Sequence, residues 1–130
     1  MDFGNSMDLT GIPVVTFKNN GNKFNFILDT GADRSVINSI ILESLVYTKS
    51  NSVYQLAGME GNPNKVNCVN ITLNYRDYVF KEEFQVANMN KAFKNIKATT
   101  GVEVSGILGS EFFRKYKYVL DFKDLIAYRK

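Results

Sequence analysis

The sequence predicts an all-β domain, a small closed barrel-like structure with one or two short helices. Three observations lead there. Short β-rich runs alternate with clusters of Gly, Asn and Asp, the punctuation of a strand-and-turn chain. Lys23–Leu28 alternates with period two, placing Phe24, Phe26 and Leu28 on one face and Lys23, Asn25 and Ile27 on the other. Just before it, Asn19-Asn20-Gly21 has the composition of a tight hairpin turn, whose central residues need positive φ.

Taken in order, residues 1–9 read as a polar N-terminal tail and residues 10–130 as one domain. Ile12–Lys18 is the first strand and Lys23–Leu28 the second, which breaks at Asp29-Thr30-Gly31. In Val36–Val46, Ile37, Ile41 and Leu45 recur at helical spacing with Ile40 beside them. That spacing predicts a short helix, although β-branched residues are poor helix formers. Gln55–Asn64 holds Gly58, Gly61, Asn62 and Pro63 and reads as a loop or hairpin tip. Val66–Tyr75 and Tyr78–Val86 are two long strands joined at Asn74–Asp77, whereas Asn88–Lys97 is polar and carries no clear pattern. Val102–Val104 reads as a strand edge, and Ile107-Leu108 as a short apolar strand ended by Gly109. Ser110 is placed to cap a short helix over Glu111–Tyr116, with Glu111 against its N-terminal dipole. Tyr118–Phe122 and Leu125–Tyr128 form a closing hairpin around Lys123-Asp124.

Composition narrows the function. The chain has 130 residues, 45% hydrophobic and 22% charged, which is one globular domain with enough core to need no staples. The net charge of +3 is scattered, without a run of five like charges, so no nucleic-acid partner is expected. No apolar run is long enough to cross a membrane and no secretory segment opens the chain. The expectation is therefore no membrane partner, and a cytoplasmic location by default. The one cysteine, Cys68, excludes an intramolecular disulfide and reads as a small buried residue. There is no histidine. That removes the Ser-His-Asp triad, the Cys-His dyad and any imidazole zinc site, and no metal or cofactor is expected. If the chain is an enzyme, carboxylates, lysines or hydroxyls must carry the chemistry.

The informative stretch is Phe26-Ile27-Leu28-Asp29-Thr30-Gly31-Ala32-Asp33, an apolar strand ending in an acid, a hydroxyl and a glycine. Alone it also fits an ordinary turn, since Asp and Gly are common turn formers. Far downstream, Gly106-Ile107-Leu108-Gly109 is equally apolar and leads into the short helix. Together the two stretches resemble the retropepsins, the retroviral-type aspartic proteases. In that family an apolar-apolar-Asp-Thr-Gly-Ala turn carries the catalytic acid, and a later apolar-apolar-Gly strand threads behind it. The resemblance spans about Ile12 to Tyr128.

What the resemblance implies is an aspartic endopeptidase acting on peptide or protein substrates. Two carboxylates about 3 Å apart share one proton and act as base and acid in turn. Only one Asp-Thr-Gly is present, so the second carboxylate must come from a second copy, and a homodimer is implied. Asp29 becomes the catalytic acid/base. Thr30 holds the two loops together across the axis, and Gly31 permits the turn and meets substrate backbone. Ala32 replaces a hydroxyl common in pepsin-like enzymes, which predicts a less acidic optimum. Asp33 contacts substrate backbone and structures the dimer. Val36 and Ile107 line apolar side-chain pockets, and Gly58, Met59 and Gly61 belong to a flap that closes over substrate.

Two departures stand out. The family's arginine after the downstream glycine is Ser110 here, and Arg34 follows Asp33, so the usual dimer-locking ion pair is in question. The C-terminal hairpin runs further past the helix than in viral enzymes, as in cellular and bacterial relatives. Two other readings stay open: a non-catalytic domain of the same fold kept for dimerisation or peptide binding, and an unrelated small β-barrel binding module.

Overall fold

The computed structural model describes residues 2–56, 64–121 and 126–129. β1 (Val14–Asn19) and β2 (Asn22–Leu28) form the predicted hairpin, in register from Val14↔Ile27 to Asn19↔Asn22. Asn20 and Gly21 turn it with φ of 50° and 83°, matching the strand twist. Phe26 and Leu28 point into the core and Phe24 packs at its margin, as the alternation predicts.

The remaining strands are β3 (Ser35–Asn38), β4 (Tyr47–Leu56), β5 (Asn64–Tyr75), β6 (Tyr78–Ala87) and β7 (Gly106–Leu108). The order β1-β2-β7-β3-β6-β5 closes on itself through Lys18↔Asn74, giving a six-stranded barrel. β4 lies outside the ring, antiparallel to β5. β7 sits between β2, to which it is parallel, and β3, to which it is antiparallel. It can pass there because of Gly106. A Cβ at that residue would stand 2.7 Å from the Val36 carbonyl oxygen and 2.9 Å from the Phe26 ring.

Phe17, Phe26, Phe80, Phe84 and Phe112 are fully buried at the centre. Phe17 meets Phe26, Phe80 and Phe112 edge-on, an arrangement that suits the ring quadrupoles. A smaller cluster of Val14, Phe93, Val102 and Val104 packs beneath α2 (Asn90–Thr100). Cys68 is buried, as expected. β8 (Tyr118–Asp121) and β9 (Ile126–Arg129) pair as the predicted C-terminal hairpin.

Several expectations are corrected. The segment expected to be a polar tail forms α1 (Phe3–Thr10), with Asp2 Oδ1 accepting from Asn5 N–H and Gly11 ending it at φ 71°. Its Phe3 is only 3% exposed and joins the main core, while Ser6 Oγ accepts from Val14 N–H. The helix expected over Val36–Val46 is split. Val36 and Ile37 lie in β3, and only Ser39–Ser44 is helical, as a 3-10 turn. The fourfold spacing arose because Ile37 from the strand, and Ile41 and Leu45 beyond it, all reach one core. Tyr47–Leu56 was not anticipated as a strand, and the patternless stretch after Asn88 contains α2. Val102–Val104 forms no strand, although both valines are buried. With α3 (Ser110–Lys115), three α-helices lie among the described residues, more than the one or two expected. Gly109, not Ser110, takes the N-cap position of α3.

Candidate active site

The ladder between β2 and β7 runs one residue past Leu28, where Asp29 N–H donates to the Leu108 carbonyl at 2.9 Å. The chain then turns, and Ala32 N–H donates back to the Asp29 carbonyl at 3.2 Å. Asp29 is half-buried. Its Oδ1 accepts from Gly31 N–H at 2.9 Å, so the loop's own amide fixes the carboxylate. A Cβ on Gly31 would stand 3.2 Å from that same Oδ1. Its φ is not left-handed, so what glycine supplies here is room beside the acid, whose carboxylate a side chain would press aside by a few tenths of an ångström.

The loop over residues 29–34 is stitched onto the exit of β7. Ser110 N–H donates to the Ala32 carbonyl at 2.7 Å, and Glu111 N–H to the Asp33 carbonyl at 3.2 Å. Gly109 N–H donates to Ser35 Oγ at 3.1 Å. A Cβ on Gly109 would stand 2.7 Å from the Arg34 carbonyl carbon and oxygen, and 2.8 Å from the Ala32 oxygen. β7 therefore passes directly behind the Asp29 loop, and glycine alone permits the approach.

Thr30 and Asp33 are exposed and Ala32 is half-buried. Val36 and Ile107 are opposite one another in register, and Ile107 pairs in turn with Ile27. Side chains in register share a face, so Ile27, Ile107 and Val36 form a half-buried apolar row leading to Asp29. Ile27 was not singled out from the sequence, although it stands two residues before the acid. Gly58, Met59 and Gly61 lie outside the described residues.

The ion-pair position is occupied differently from the viral pattern. Arg34 Nη1 lies 3.4 Å from Glu111 Oε2, both side chains being well exposed. The loop supplies the cation and the helix the anion, each one residue beyond Asp33 and Ser110. Such an exposed pair contributes about 0–1 kcal/mol.

Sequence reasoning also missed Ser35 and Glu82. Glu82 is 6% exposed and its Oε2 accepts from Ser35 Oγ–H at 2.7 Å. Burial pushes its carboxyl pKa up, while the Ser35 hydrogen bond and the Lys115 ammonium pull it back. A signal existed in Phe80-x-Glu82-x-Phe84, where both phenylalanines are buried and the acid shares their face. Among the described residues no three His, Cys, Asp or Glu side chains gather to hold a metal. No helix among them is long and apolar enough to cross a membrane.

A family model described as aspartyl protease matches residues 15–112. Two solved structures are similar in fold. The first is the EIAV protease complexed with the inhibitor HBY-793. It is 21% identical with a TM-score of 0.56, over 85% of this chain and 93% of that one. The second is the retroviral protease-like domain of Ddi1 from Leishmania major. It is 12% identical with a TM-score of 0.60, over 92% of this chain and 88% of that one. No curated protein sequence matches significantly.

Proposed function

This chain belongs to the aspartyl protease family, and we propose that it is an endopeptidase whose site forms when two copies bring their Asp29 carboxylates together. The observation that carries this is the placement of Asp29. Its carboxylate is oriented by Gly31 N–H, on a loop braced from behind by β7 and α3. A fixed acid is what general acid–base catalysis needs, and a loop built only for turning would not need that brace.

In the proposed reaction the ionised Asp29 takes a proton from water as the water oxygen adds to the scissile carbonyl carbon. The protonated Asp29 of the second copy gives its proton to the carbonyl oxygen. The resulting diol collapses when the first Asp29 gives its proton to the amide nitrogen, the C–N bond breaks, and a diol hydroxyl returns a proton to the ionised Asp29 of the second copy as the new carboxyl forms. The two carboxyls end with one proton between them, as they began. The exposed Thr30 hydroxyl would bond across the axis, and Gly31, Ala32 and Asp33 would meet substrate backbone. Ile27, Val36 and Ile107 form the floor of apolar pockets, favouring apolar residues beside the cut. The flap role of Gly58, Met59 and Gly61 belongs to the same proposal.

The test is Asp29→Asn, assayed on unstructured peptides with and without pepstatin. General acid–base catalysis is worth about 10²–10⁴-fold, and cleavage is expected to fall by at least that much. Undiminished cleavage by the variant would reject the mechanism.

A further inference from the structure

We propose that Glu82 is a positioning residue for the Asp29 loop, acting through Ser35 on Gly109, and that its protonation state makes the brace behind that loop sensitive to pH. The proposal rests on the protease reading for its consequence in catalysis, but its physical core does not.

The geometry is a single relay. Gly109 N–H donates to Ser35 Oγ at 3.1 Å, and Ser35 Oγ–H donates to Glu82 Oε2 at 2.7 Å, all of it buried. The hydroxyl has one proton to give. Glu82 therefore orients it, leaving the serine lone pairs toward the Gly109 amide. Gly109 is the residue over which the Asp29 loop crosses, with Ala32 and Arg34 backbone packed against it. On either side of it, Leu108 accepts from Asp29 and Ser110 donates to Ala32. Loosening Gly109 loosens the support of the catalytic acid. The relay belongs to β6, β3 and the entry to α3, three elements brought together from distant parts of the chain.

An interior carboxyl prefers its neutral form unless it is matched by a cation. The charged side chains around the groove that Glu82 borders are Arg34 from the loop, Lys81 and Glu83 from its own strand, and Glu111 and Lys115 from α3. Burial, the largest cause, and the nearby Glu111 oppose the anion, the Ser35 hydrogen bond, Lys115 and the Glu83 backbone favour it, and the balance leaves the pKa raised. The folded-state pKa is raised, so the stability that Glu82 permits is complete below the ordinary carboxylate range. It is lost as pH rises through the raised value. The Ser35 hydrogen bond itself favours the anion, so what rises with pH is the population of openings that carry Glu82 into water, and these part Ser35 from it and free the Gly109 amide.

The experiment compares wild type, Glu82→Gln and Ser35→Ala as full chains between about pH 4 and 8, following Gly109 amide exchange and thermal unfolding. The intrinsic base catalysis of exchange is subtracted. In wild type, the opening of Gly109 should increase by up to about tenfold per pH unit between the unfolded and folded pKa values of one carboxyl. Glu82→Gln, which can still accept from Ser35, should abolish that dependence and raise the unfolding midpoint at neutral pH. Ser35→Ala should leave Glu82 titrating while its titration no longer moves Gly109. Asp29→Asn should behave as wild type in these measurements, so failure of the protease reading would leave them intact. If Glu82→Gln does not fold, a carboxyl carbon titration of Glu82 in wild type replaces it. A midpoint at or below the ordinary glutamate value, or Gly109 exchange that ignores pH, overturns the proposal. Where peptide cleavage is measurable, the alkaline limb of kcat should move to higher pH in Glu82→Gln with KM little changed.

Discussion

Two turns in this protein use nearly the same residues for different ends. Asn19-Asn20-Gly21 and Asp29-Thr30-Gly31 each follow or end a strand, and each ends in glycine. At the first, Asn20 and Gly21 hold left-handed φ values of 50° and 83°, and a Cβ on Gly21 would meet nothing within 4 Å. Its glycine serves backbone conformation. At the second, Gly31 has no left-handed φ, but a Cβ would press against Asp29 Oδ1 at 3.2 Å. Its glycine serves proximity to a carboxylate. The hairpin turn is self-contained, whereas the Asp29 loop hangs on residues 108–111 from the far end of the chain. A local turn reverses the chain, and a braced one holds a side chain where chemistry can use it.

Substitutions can break that contrast. The largest effect is expected at Gly109→Ala, where the new methyl meets backbone of Ala32 and Arg34 that cannot swing aside. Overpacking costs about 1–3 kcal/mol and occasionally more, and rigid backbone on both sides puts this site at the upper end, read as a fall in the denaturant midpoint. Next, Gly31→Ala should disturb the carboxylate rather than the fold. Cleavage should drop by about 10- to 100-fold, with unfolding shifted by less than ~1 kcal/mol. Gly21→Ala should do the reverse, losing about 1–2 kcal/mol of stability from left-handed strain while kcat stays unchanged. If Gly21→Ala and Gly31→Ala gave the same ratio of stability loss to activity loss, the contrast would be wrong. Smallest is Arg34→Ala, which removes the ion pair to Glu111 and should change stability by no more than about 1 kcal/mol, less at high salt.

Much of this arrangement was legible in the residues. The alternation of Lys23–Leu28 and the Asn-Gly turn pointed to the first hairpin, and the family resemblance carried by the Asp29 and Gly109 stretches implied a strand passing behind the acid. What escaped was set by contacts between distant segments. Val36 and Ile37 are strand residues because β6 and β7 flank them, and no local periodicity reports a flanking strand. α1 carries an Asp cap at one end and a glycine at the other, signals that were present but outweighed by its polar composition. Glu82 sits on the buried face of an alternating strand, which marks an interior acid. Only the fold could show that Ser35, distant in sequence, is its partner.

The central claim is that one active site needs an Asp29 from each of two copies. Mixing wild type with Asp29→Asn at constant total concentration, and letting subunits exchange, tests it most directly. If each site draws one acid from each copy, activity follows the square of the wild-type fraction, falling to about a quarter in an equal mixture. A linear fall, to about half in that mixture, would mean that each copy works alone and would contradict the account.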